Sequence, residues 1–203
     1  LLISHDHPDH LDFSTLTAID LNGCVALVPL GVGALIKSKI RSIQIQEAGW
    51  YQKYNTPGSD IEIYLIPAKH WSMRNLLDVN KTLWGGFIIK GKNTVLFISG
   101  DTAYSPHFKE IKNTFDKIDI CLMTVGAYKP KDIMSWQHLS PEEAVRAFND
   151  LGGRIFIPVH YGTFDLSEEP YDEPVEILES LFNSRKGDDR KLQVLNVGEE
   201  FYL

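Results

Sequence analysis

Short apolar runs alternate with amphipathic segments along the whole chain. The apolar runs predict β-strands at 25–30, 61–67, 84–90, 94–99, 118–125, 154–159 and 192–197. Segments with helical periodicity predict α-helices at 13–21, 32–39, 106–114, 141–151 and 174–183. Strands that alternate with helices are typical of a layered α/β fold, here of the α+β type.

The clearest helix start lies at Ser140. Ser140 can cap the helix, Pro141 suits its first position, and Glu143 completes a capping box. An apolar stripe follows at helical spacing, and Gly152 provides the stop. A helix over 141–151 is therefore expected.

Length and charge narrow the function classes. A chain of 203 residues predicts one domain, 1–203, with a sizeable core. The net charge of −7 argues against a nucleic-acid partner, which usually requires a basic surface. No apolar run approaches the roughly 18 residues of a membrane span, and no secretory signal is visible, so a cytoplasmic location is expected.

The chain opens on a dense group of potential metal ligands, SHDHPDHLD. The apolar Leu1–Ile3 run predicts a strand that leads into it. His5 and His7 alternate and so face one side of an extended segment, whereas Asp9 and His10 face a second position. Imidazole and carboxylate are ligands of Zn²⁺ and similar cations. A solvated loop is the alternative reading.

Three more candidate ligands each follow an apolar run. His70, Asp101 and His160 stand where the predicted strands 61–67, 94–99 and 154–159 give way to loops. Each alone is more often a cap, a turn residue or a satisfied buried polar group. Together with the first cluster they predict one metal site held by strand ends.

The complete pattern, HxHxDH followed by a His, an Asp and a last His, resembles the metallo-β-lactamase superfamily. The resemblance implies a four-layer αββα sandwich. It implies two Zn²⁺ ions, with Fe or Mn left open. The implied ligands of the first ion are His5, His7 and His70, those of the second are Asp9, His10 and His160, and Asp101 bridges the two. Because the motif follows Leu1 so closely, we expect part of the N-terminal half of the sandwich to be missing.

A narrower resemblance rests on the runs that flank these ligands. PAKHWSMRNLLDVNKTLWGGF, SGDTAY, GAYKPKDIMSWQHLSPEEAVRAF and HYGTF look like the N-acyl-phosphatidylethanolamine phospholipase D family. This likeness implies a phosphodiesterase with a phosphodiester or phospholipid-like substrate. Asp9, Asp101 and His138 are the implied catalytic residues. We also expect Asp12 to accept a hydrogen bond from a ligating imidazole.

Other activities share the bare metal pattern. A cytoplasmic lactonase or small-molecule hydrolase, similar to ascorbate-6-phosphate lactonase, is the main alternative. A nuclease of the tRNA 3′-end processing kind and a metal-stabilised structural domain are further ones. Peripheral membrane contact through a preceding segment and homo-oligomerisation both remain open.

Overall fold

The computed structural model describes residues 1–185 and 187–202. Its elements in chain order are α1 (Phe13–Ala18), β1 (Val25–Pro29), α2 (Val32–Lys39), β2 (Gln44–Ala48), β3 (Glu62–Ile66), β4 (Gly86–Lys90), β5 (Val95–Ile98), α3 (His107–Phe115), β6 (Ile120–Thr124), α4 (Lys131–Met134), α5 (Pro141–Leu151), β7 (Ile155–Val159), α6 (Glu173–Asn183) and β8 (Lys191–Leu192).

The strands form two sheets. β1 and β2 pair in parallel as a two-stranded sheet. The other six described strands follow one another in sequence order, and the pairs β3–β4 and β4–β5 are antiparallel. From β5 to β8 all neighbours are parallel. The larger sheet is therefore mixed.

Three apolar clusters alternate with the two sheets. One joins α1 and α2 to one face of β1, through Ala26 and Val28. A second lies between the sheets, with Leu27 of β1 packed in the same cluster as Leu65 and Phe87. A third joins the opposite face of the large sheet to α3, α5 and α6. The layers therefore follow the αββα order that the resemblance implied.

The structure corrects several predicted elements. The strand expected at 192–197 is reduced to β8, whose ladder ends within the described residues at a bond from Gln193 N to Phe156 O. The expected strand at Leu1–Ile3 makes only a single bridge, Leu2 to Leu27. β2 and α4 were not predicted. None of the helices that the structure describes is long and apolar enough to cross a bilayer. The single domain at 1–203 stays a prediction.

The sheet brings the predicted site residues to one edge. β3 and β5 run in the same direction because both are antiparallel to β4, and β7 is parallel to that direction. Their carboxyl ends therefore meet at one edge of the sheet. His70, Asp101 and His160 all follow those ends.

Candidate metal centre

All seven predicted metal ligands converge in two adjacent groups. Within each group, one donor atom from every residue lies within 4.8 Å of the others. The first group holds His5, His7 and His70, and the second holds Asp9, His10, Asp101 and His160.

The first group contains only imidazole nitrogens. His7 Nδ1 lies 2.9 Å from His5 Nε2 and 3.3 Å from His70 Nε2. A tetrahedral ion with Zn–N bonds of about 2.0–2.1 Å would hold its donors about 3.3–3.4 Å apart. The three rings therefore stand close to the separations that one zinc ion would set.

The second group combines two imidazoles with two carboxylates. His10 Nε2 lies 3.2 Å from His160 Nε2, 3.2 Å from Asp101 Oδ2 and 3.4 Å from Asp9 Oδ2. His160 Nε2 lies 3.4 Å from Asp101 Oδ2 and 3.6 Å from Asp9 Oδ2. These separations also match those of donors around one small cation.

Asp101 stands between the groups. Its Oδ2 atom is 3.2 Å from His10 Nε2 and 3.9 Å from His70 Nε2, which belong to different groups. Its Oδ1 atom is buried and has no hydrogen-bond partner in the described part of the chain. A buried carboxylate oxygen without a partner is costly unless a ligand satisfies it. The donor set and this unsatisfied oxygen therefore fit a pair of metal ions.

Burial keeps imidazoles of the first group in the neutral form. Burial lowers the pKa of His5 well below its usual value and lowers the pKa of His70 to about 3. Both imidazoles are therefore neutral at pH 7, which is the form that binds metals.

In the second group, by contrast, His10 and Asp101 are charged. Burial opposes a proton on His10, but hydrogen bonds with Asp101 and Asp9 outweigh it and raise the pKa of His10 to about 10. Burial likewise opposes ionisation of Asp101, yet the hydrogen bond from His10 and the charges of the nearby histidines hold the pKa of that carboxyl well below its usual value. A bound cation would replace this proton, because it would satisfy the same carboxylates.

His138 lies beside the metal ligands without joining either group. Its Nδ1 atom is 3.9 Å from Asp101 Oδ2, and its ring is stacked near His160 with centroids 5.9 Å apart. Nδ1 is buried and has no hydrogen-bond partner among the described residues. Leu139 and the N-cap Ser140 separate His138 from α5, whose start carries the predicted capping box of Ser140 and Glu143.

Asp12 does not contact a ligating imidazole, so that prediction was wrong. Asp12 caps α1 instead, accepting hydrogen bonds from Ser14 N and Thr15 N. The imidazoles are contacted by groups that sequence reasoning missed. Ser4 Oγ lies 3.0 Å from His5 Nδ1, and the backbone oxygen of Gln137 lies 3.0 Å from His70 Nδ1. The latter bond fixes which ring nitrogen of His70 faces the site.

Asp6 is a further residue whose role the sequence did not predict. It is buried between His5 and His7, and it accepts hydrogen bonds from Met73 N at 3.0 Å and Thr82 Oγ1 at 2.9 Å. These bonds fix the 72–82 loop against the ligand segment. Its position inside HxHxDH was visible in the sequence, but its partners lie too far along the chain to be inferred.

Comparison with known proteins agrees with this geometry. The family model described as "Beta-lactamase superfamily domain" matches residues 1–161. The chain belongs to this superfamily. The predicted resemblance to the metallo-β-lactamase superfamily and the predicted fold class are thereby confirmed.

Two curated relatives are both named as phospholipases D that hydrolyse N-acyl-phosphatidylethanolamine. The chain is 37% identical over 188 residues to the mitochondrial N-acyl-phosphatidylethanolamine-hydrolyzing phospholipase D of Saccharomyces cerevisiae, covering 89% of the chain and 40% of the relative. It is 32% identical over 209 residues to N-acyl-phosphatidylethanolamine-hydrolyzing phospholipase D 1 of Caenorhabditis elegans, covering 98% of the chain and 59% of the relative. The chain thus spans only about half the length of these superfamily relatives.

Solved structures support the same superfamily fold. A metallo hydrolase from the archaeon Ignicoccus hospitalis superposes with a TM-score of 0.73 at 21% identity, over 99% of this chain and 79% of that one. At this level of identity the likeness concerns the fold.

Proposed function

We propose that this protein is a binuclear, zinc-dependent hydrolase that acts on phosphodiesters in the manner of the phospholipase D relatives. The observation that carries the proposal is the pair of donor groups that meet at Asp101, with His138 3.9 Å from the same carboxylate. Seven donors exceed what a closed four-ligand structural site needs. Names of relatives at 32% and 37% identity favour a phosphodiester as substrate.

The residues that would hold the ions are the two donor groups already described. When bound, a metal pair would supply a water of lowered pKa and would neutralise charge on a phosphoryl group. Iron or manganese would suit the same nitrogen and oxygen donors, so the identity of the metal is part of the test.

Asp101 and Asp9 would have different duties. Asp101 is almost fully buried, which suits a carboxylate that fixes the spacing between two cations and offsets their charge. The Asp9 side chain is 24% exposed and lines the cavity beside the centre. Asp9 can therefore both hold a cation and accept a hydrogen bond from the attacking water.

His138 would contact the substrate. Burial lowers its pKa, so the ring is neutral at pH 7 and can donate one hydrogen bond. Its unpartnered Nδ1 atom lies 3.9 Å from Asp101 Oδ2, which leaves it free to donate to a phosphoryl oxygen held at the centre. We therefore assign His138 to holding a phosphoryl oxygen as charge develops on it.

The test combines metal analysis with a substrate screen. Protein purified without chelator should contain two metal ions per chain. It should hydrolyse N-acyl-phosphatidylethanolamine or bis-p-nitrophenyl phosphate, and not a panel of lactones. Lactone turnover without phosphodiester turnover would favour the lactonase alternative. A metal content below one ion per chain would remove the basis of the binuclear site.

A single variant separates the role of His138 from metal binding. His138→Ala should lower phosphodiester turnover by about 10²–10⁴-fold, the usual contribution of a residue that transfers a proton or donates a hydrogen bond in the transition state. Both metals should stay bound because His138 belongs to neither donor group. Turnover at the parent rate, or loss of a metal ion, would contradict the assignment.

A further inference from the structure

A cavity of about 150 Å³ adjoins the metal centre on the side of the second donor group. Asp9 and His160 belong to both the centre and the cavity lining. Most of the lining comes from the segment between β7 and α6, residues 161–172, which we name the 161–172 loop. Its apolar contributions are Phe164, Leu166, Pro170 and Tyr171.

These apolar side chains are unusually exposed for their size. Phe164 is 61% exposed, Leu166 is 54% exposed and Tyr171 is 52% exposed. All three line one cavity rather than being scattered over the surface. Apolar side chains grouped around a concave site are typical of ligand pockets.

The wall is held by a carboxylate that bonds to backbone. Glu169 accepts hydrogen bonds from Ala127 N at 2.5 Å and from Lys129 N at 3.0 Å. Ser167 Oγ donates to the same carboxylate at 2.6 Å. These bonds tie the 161–172 loop to the segment that follows β6, so the cavity is formed before any ligand arrives. A preformed pocket spares a ligand the cost of ordering the loop.

The charges of the lining decide which group it would accept. Among the described residues that line the cavity are the carboxylates of Asp165 and Glu169 but no lysine or arginine. An anionic group would therefore meet like charge there and no side-chain cation. A neutral, apolar substituent would instead bury surface against Phe164 and Leu166.

We propose that this cavity is a subsite for a neutral apolar substituent, aryl or short alkyl, of a substrate whose phosphoryl group is held at the metal centre. The inference rests on the proposed phosphodiesterase function and adds a substrate preference to it. Leu166 and Phe164 are its specificity-determining contacts, and Glu169 is a positioning residue that keeps the wall in place.

Binding of single-substituent phosphonates tests the subsite without turnover. Isothermal titration calorimetry of the zinc-loaded protein would compare phenylphosphonate, methylphosphonate and 4-carboxyphenylphosphonate. Phenylphosphonate should bind about 10-fold more tightly than methylphosphonate, because the ring buries more apolar surface. The added carboxylate should remove that advantage.

Two matched leucine variants locate the effect. Leu166→Asp should bring the phenyl-to-methyl affinity ratio close to one, and the ratio cancels any general repulsion of the phosphonate. Leu76→Asp, on the 72–82 loop, should keep the full ratio; Leu76 is 88% exposed and outside the cavity lining. Since both leucines are largely exposed, neither change should prevent folding.

Equal affinity of the parent for the two phosphonates, or no binding of either, would overturn the subsite. So would a phenyl preference that survives Leu166→Asp. A protein that prefers phenylphosphonate but hydrolyses no phosphodiester would support the subsite and contradict the proposed function. The two failures are therefore distinguishable.

Discussion

Gly126 should be indispensable for the second group of metal ligands, although it carries no chemistry. A Cβ atom placed on Gly126 would lie 2.1 Å from the backbone oxygen of His160 and 3.2 Å from its carbonyl carbon. The obstacle is backbone rather than a flexible side chain. His160 is itself fixed in a left-handed conformation, with φ of 62°, so it has little freedom to turn away.

The size of the displacement follows from these distances. Relief of the contact to 3.0 Å, the shortest that real Cβ atoms show, requires a movement of about 0.9 Å. Metal ligand distances tolerate about ±0.2 Å. The displaced His160 ring would therefore leave the second donor group, and we expect zinc affinity there to fall at least 10–100-fold, the range seen for lesser disturbances outside the ligand set.

Zinc titration of Gly126→Ala by calorimetry provides the assay. The first donor group should keep its affinity because its three histidines lie on other segments. Gly91→Ala is the matched control, since its nearest contact is an ordinary one of 3.5 Å to Thr94 O, far from the centre. Its zinc binding should equal that of the parent.

Two results would refute this reasoning. One is a Gly126→Ala protein that binds both zinc ions with parental affinity. The other is an equal loss at both groups together with a lowered melting temperature, which would indicate general unfolding. A folded protein with one weakened site is the expected outcome.

Three further predictions concern other parts of the molecule. Asp101→Ala should abolish turnover and lower the content of both metals in elemental analysis, whereas Asp12→Ala should keep both metals and lose only the hydrogen bonds that cap α1. Asp6→Ala should lower the free energy of unfolding in urea by about 2–4 kcal/mol, because two buried donors lose their acceptor, whereas Asp6→Asn should lower it clearly less. Equal decreases in the two variants would contradict this account. Burial lowers the pKa of His107 to about 4, so the unfolded chain binds more protons between that value and about 6.5, and stability falls as pH decreases through this window. Between pH 7 and pH 4.5, the free energy of unfolding measured with urea should fall by about 2–3 kcal/mol less in His107→Gln than in the parent protein. Identical decreases in the two proteins would refute the assignment.

Local signals account for what the sequence predicted well. His70, Asp101 and His160 each follow an apolar run, and strands that run in one direction bring their ends to one edge. The capping box at Ser140 is likewise encoded within four residues. Such features need no knowledge of distant partners.

Each error also has an identifiable cause. β2 was missed because Gln44–Ala48 contains few apolar residues and is recognised only through its pairing with β1. The strand at 192–197 was overextended because its alternation resembles a strand, yet pairing with β7 ends almost at once. Asp12 was misread because its partners are the backbone N–H groups just after it, a capping signal that the neighbouring ligands obscured.

Two residues that sequence reasoning could not identify have the same physical role. Asp6 and Glu169 are carboxylates that hold no predicted metal, and each accepts backbone N–H bonds from a segment 40 or more residues away. Asp6 fixes the loop beside the first donor group, and Glu169 fixes the loop beside the second. The residue type alone does not distinguish a carboxylate that accepts backbone hydrogen bonds from one that binds a cation. Only the three-dimensional geometry separates the two roles. This is why the predicted donors could be named from the sequence, whereas the carboxylates that hold the neighbouring loops are recognised only in the three-dimensional structure.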